Sequence, residues 1–146
     1  MNDFKKIFES HYTWIEGFMR NVRRYPEKTA LIDPLRKLTL NYRQLNAEVN
    51  RLSNTLSKAG FQPHDIVMIL LKNCPEFVYA YIAAHKMHGV CCPVSFRLSA
   101  GELAWAMSDA QPKVFVYDVR FDETVKEALR LSSYQPEHVI VVGGKE

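Results

Sequence analysis

Glycine is scarce in this chain, with six residues in 146, and no three of them fall close enough to build a glycine-rich loop. A phosphate-binding loop gathers backbone amides around an anion, and it uses glycine because the chain must approach the ligand closely. The nearest approach is VIVVGGKE at 139–146, where Gly144-Lys145 follows an apolar run. Position 139 is valine where the P-loop pattern requires glycine, and Glu146 stands where a serine or threonine would hold the metal, so that motif is excluded. G-x-G-x-x-G, G-x-S-x-G and H-E-x-x-H are absent too. Taken alone, the residues describe an α/β scaffold without a visible reactive centre.

Cysteine is equally sparse. Three residues, an odd number with two of them adjacent, make no disulfide framework, and reduced thiols are expected. No apolar run approaches the ~20 residues of a membrane span, and the opening MNDFKKIFESHY has no signal-peptide core, so a cytoplasmic protein is expected. An excess of one charge is missing as well. Nineteen basic against sixteen acidic side chains leave +3, too balanced to argue for nucleic acid or a membrane surface as partner. The one local basic cluster, Arg20, Arg23 and Arg24, ends a predicted helix, where cations complement the helix dipole.

What the chain does have is core. With 47% hydrophobic and 24% charged residues it can fold as a single domain or as a piece of a larger one. Trp14, Phe18 and Val22, joined by Ile15 and Met19, recur at helical spacing and predict a helix over 11–24, ended by Tyr25-Pro26. TALI (29–32) and KLTL (37–40) flank Asp33-Pro34 and predict a short antiparallel pair. Leu45, Val49, Leu52 and Leu56 predict a helix over 42–59, with Asn41 and Gln44 as its capping pair and Gly60 after its end.

IVMILL (66–71) is a continuous apolar run of the kind buried on both faces of a sheet. Asn73 and Pro75 open a helix that is apolar nearly all round until Gly89 stops it. VCCPV (90–94) is the next strand, and SAGE (99–102) is a complete capping box opening a helix with Leu103, Met107 and Ala110. KVFVYD (113–118), a helix over 122–131 and HVIVVG (138–143) complete the series. Strand and helix alternate, which predicts an α/β fold with a mostly parallel sheet and right-handed crossovers.

HKMHGVCC (85–92) packs two histidines and two cysteines into eight positions and raises the question of a metal. Adjacent strand residues point to opposite faces, so Cys91 and Cys92 cannot both join one site, and three ligands at best remain. None of the recurring zinc spacings is present, and the cysteines read as small core hydrophobes. Cys74 sits near a helix N-terminus, where the dipole favours a thiolate, but no base accompanies it. His64-Asp65 precedes a strand without a designated serine and reads as loop capping. Asp118 ends a parallel strand, at the edge where open α/β sheets bind ligands, and position alone does not make it a ligand.

Three blocks then acquire meaning as an ordered set: YPEKTALID (25–33), the long run from KLTLNYRQL to KMHGV (37–90), and CCPVSFRLSAGELAWAMSDAQPKVFVYD (91–118). Within them come the helix ending at Pro26, the Thr39, Tyr42 and Leu45 entry to a long helix, and Gly60 then Asp65 before an apolar strand. Asn73-x-x-Glu76-Phe77, Gly89-Val90 and Pro93-x-x-x-Arg97-Leu98 follow in turn. From about residue 25 to the end the chain resembles the N-terminal region of the adenylate-forming, or AMP-binding, acyl-CoA synthetases. It departs from that pattern at Ser95, where asparagine is common, at His64, where glycine is usual, and at His88, where a small residue is usual.

The resemblance implies a parent ligase that joins a carboxylic acid to ATP as an acyl-adenylate and passes the acyl group to a thiol, most often coenzyme A. ATP, magnesium and coenzyme A would serve that full-length enzyme. The family's phosphate loop, acid pocket and catalytic lysine lie later in the chain. No catalytic, cofactor-binding or metal residue is therefore assigned here, and Arg97 with the capping box after it counts as framework. On this reading residues 1–146 form one partial N-terminal subdomain without an internal boundary, inactive alone. Its partners are the rest of the parent ligase chain and, through an exposed sheet edge, further copies of itself. The rival reading is a self-contained flavodoxin-like module that holds a small ligand at the C-terminal strand edge.

Overall fold

A computed structural model describes residues 13–143. Two compact units are distinguished, one ending at Asn50 and the other beginning at Arg51. In the first, helix α1 spans Trp14–Arg24. Thr13 caps it by accepting from the Glu16 amide at 3.3 Å, and Arg23 and Arg24 fill its last turn. Residues 11 and 12 of the expected helix lie outside the described residues. Strands β1 (Thr29–Asp33) and β2 (Leu38–Asn41) pair antiparallel, Asp33 opposite Leu38. The turn between them is held by the Asp33 carboxylate, which accepts from the Leu35 and Arg36 amides.

Helix α2 (Tyr42–Lys58) opens with a reciprocal cap: Asn41 Oδ1 accepts from the Gln44 amide at 2.8 Å, and Gln44 Oε1 from the Asn41 amide at 2.9 Å. At its other end Gly60 takes φ +75°, the Gly60 amide donates to the Ser57 carbonyl and the Phe61 amide to that of Leu56. Those paired bonds form a Schellman motif, with Leu56 and Phe61 both buried beside it.

The second unit is a four-stranded parallel sheet in the order β4-β3-β5-β6, formed by β3 (Ile66–Leu70), β4 (Val90–Pro93), β5 (Val114–Asp118) and β6 (His138–Val142). Helices α3 (Pro75–Lys86), α4 (Ala100–Ala110) and α5 (Asp122–Leu131) connect the strands. On one face Met68, Leu70, Phe115 and Tyr117 pack with Leu103, Ala104 and Met107 of α4 and with Val125 and Ala128 of α5. The alternate residues Val67, Ile69, Val114 and Val116 are also buried, and α3 packs against β3 and β4. The inner strands are therefore covered on both faces, as their unbroken apolar runs require.

The end of α3 corrects one expectation. Gly89 was expected to stop this helix, but the left-handed residue is His88, at φ +58°; its amide donates to the His85 carbonyl and the Gly89 amide to that of Ala84. Gly89 is needed for space instead. A Cβ there would stand 2.5 Å from Phe61 Cε1 and 2.8 Å from the Asp65 carbonyl oxygen.

Candidate functional site at the carboxyl edge of the sheet

The chain runs from β3 outward to β4, then crosses back past β3 to β5, so its direction of winding reverses between β3 and β5. A crevice opens outside the carboxyl ends of two strands at such a switch point, and it is where open α/β sheets hold ligands. Leu70 pairs with Tyr117 at the last rung, so Lys72 and Asn73 on one side and Asp118 to Arg120 on the other emerge side by side.

Asp118, the edge residue considered from the sequence, is almost fully buried and serves its own turn. Its carboxylate caps the short 3-10 turn Val119–Phe121 by accepting from the Arg120 amide at 2.9 Å, and it clasps the Arg120 guanidinium, whose Nε donates at 2.9 Å. That clasp holds the Asp118 carboxyl below its ordinary range, helped by the positive charge of Lys72 nearby. The far side of Arg120 is open to solvent. Beside it, the Tyr117 hydroxyl donates to Asp122 Oδ1 at 2.7 Å; burial first, and that bond second, push the phenol up to about 12.

A second group joins from the segment after β4. Phe96 stacks on Phe121, which follows β5, with centroids 6.1 Å apart. The Lys72 ammonium lies 5.3 Å from the Phe96 ring centre and the Arg97 guanidinium 5.8 Å, distances at which a cation is attracted to the ring face. Lys72, Arg97 and Arg120 against Asp118 leave two positive charges at this edge. Exposed cations around a ring favour an anionic group with a flat neighbour, such as a phosphate or carboxylate attached to a planar system. Sequence inspection reached only Asp118 and treated Arg97 as framework. Lys72, Phe96, Arg120 and Phe121 escaped it because they carry no motif, although they stand two or three residues past the ends of β3, β4 and β5.

The other residues weighed from the sequence are scattered. His85 Nδ1 lies 2.8 Å from the Tyr81 carbonyl oxygen and its ring rests against that of Tyr81. Cys91 and Cys92 pair with Val67 and Met68 on opposite faces, and burial pushes the Cys91 thiol up to about 12, with the neighbouring Cys92 adding to it. Among the described residues no group of three or more His, Cys, Asp or Glu side chains could hold a metal ion. Cys74 caps α3 without a side-chain hydrogen bond to the helix. His64 takes φ +72° and its amide donates to the His88 carbonyl at 2.9 Å, so two of the three departures from the family pattern fall on left-handed positions that favour glycine. Asp65 caps the same turn by accepting from the Gln62 amide at 2.7 Å, and it pairs with Lys113.

The model of the AMP-binding enzyme family matches residues 18–145. The crotonobetaine/carnitine–CoA ligase of Salmonella enteritidis PT4 is 30% identical over 122 residues, which are 82% of this chain and 24% of that protein. Among solved structures, a fatty acyl CoA synthetase of Mycobacterium tuberculosis superposes with a TM-score of 0.80 at 26% identity, over 88% of this chain and 26% of the other. An anthranilate CoA ligase crystallised with anthranoyl-AMP shares the fold, at TM-score 0.81 and 23% identity, over 89% of this chain and 25% of its own. The chain thus spans about a quarter of the length of the relatives it matches. Among the described residues no helix is long and apolar enough to cross a membrane. With the family model matched from within α1 to beyond β6, and the sheet superposing on those of its ligases, the chain belongs to the AMP-binding enzyme family.

Proposed function

We propose that this chain is the N-terminal framework of an AMP-forming acid–thiol ligase. In the parent reaction a carboxylate oxygen attacks the α-phosphorus of ATP and pyrophosphate leaves; a thiol then attacks the acyl carbon of the adenylate, giving a thioester and AMP. The observation that carries this reading is the continuous family match over residues 18–145 together with relatives of which the matched segment is only 24%. The part of the chemistry these residues supply is structural and electrostatic. The sheet fixes the switch-point edge, and Lys72, Arg97 and Arg120 lend it positive charge toward an anionic portion of a substrate. The sequence holds no glycine-rich phosphate loop, and among the described residues no group of three or more His, Cys, Asp or Glu could hold a metal ion, so no step of the reaction is derived through ATP or magnesium here.

The test is pyrophosphate release, measured for the 146-residue chain and for the parent ligase with a panel of carboxylic acids. The chain alone should release none and should show no rise in melting temperature with magnesium and ATP, because a ligand that binds only the folded state must raise it. Turnover by the chain alone would overturn the framework reading. A second reading draws on the strand order, which is that of the flavodoxin-like sheets, whose ligands use the same edge. It would be favoured by a stop codon directly after codon 146, and the ligase reading by a Thr/Ser/Gly-rich loop shortly downstream.

A further inference from the structure

We draw no further inference here: the strongest candidate, the apolar groove along α4 lined by Leu98, Trp105 and Ala106 with Trp105 70% exposed, carries nothing, because nothing in the structure shows what covers it.

Discussion

Strands β5 and β6 are neighbours and both mostly apolar, VFVYD against HVIVV, and they live in different solvents. Every residue of β5 is buried, while β6 alternates between half-buried and exposed along its whole length. Composition does not decide this. Position does: β5 has a strand on each side and helices over it, and among the described residues β6 pairs with β5 alone. A continuous apolar run therefore predicts a strand, and it does not say whether the strand is central.

The largest test of that contrast is Phe115→Ala. Phe115 is fully buried, its ring stacks on Tyr117 at 5.6 Å, and it packs among the residues of α4 and α5. Truncating such a ring costs about 3–5 kcal/mol, a large part of the whole stability of a small domain, and urea titration should find the variant largely unfolded. A variant that loses under about 1 kcal/mol would mean that the centre of the sheet is no better packed than its edge.

Gly89→Ala sharpens the contrast at the other edge. Strand β4 lies at the margin of the sheet, yet its entry is tightly packed, with the Phe61 ring and the Asp65 carbonyl both within 3 Å of a Cβ at position 89. The ring or the backbone must move, and overpacking of this kind costs about 1–3 kcal/mol. The thermal midpoint should fall accordingly. An unchanged midpoint would show that the loop at β4 yields freely and that this edge is as loose as β6.

At the end of β5 the relevant energy is electrostatic. The Asp118 carboxyl is held below its ordinary value by its hydrogen bond from Arg120, so its contribution to stability is fully present above the unfolded value near ~3.9 and is lost as pH falls through the folded one. Asp118→Asn should lose about 1–2 kcal/mol at pH 7, where a charge-assisted bond becomes a neutral one. The gap between variant and parent chain should close as pH falls through the folded value. A constant gap across pH would mean that the carboxylate acts by shape alone. The same variant frees Arg120, so the net charge at the switch-point edge rises while the sheet stays in place.

Much of this fold is legible in the sequence because caps and periods are local. The reciprocal cap of Asn41 and Gln44, the box of Ser99 and Glu102, and the Gly60 ending stand where the residues foretold. The four parallel-sheet strands and the helices between them do as well. What escaped depends on contacts distant in sequence. Gly89 answers to Phe61, 28 positions earlier, so it looked like a helix stop and is a packing necessity. Lys72, Phe96, Arg120 and Phe121 meet only because the strand order brings three loops to one edge, and no spacing within any one loop announces that.

The smallest expected effect completes the comparison of inner and edge strands. Val116 on β5 and Val139 on β6 carry the same side chain, one 3% exposed and the other 44%. Val116→Ala removes two methyl groups from a buried site on a central strand, and it should cost about 2 kcal/mol. Val139→Ala removes the same groups from a surface that water already reaches, so the change should stay within about 0.5 kcal/mol. Both should be measured by urea denaturation. Equal costs would mean that Val139 is covered in solution as fully as Val116. A near-zero cost for Val139 beside a full cost for Val116 would show that the place of a strand in the sheet, and not the identity of its side chains, sets what a valine contributes.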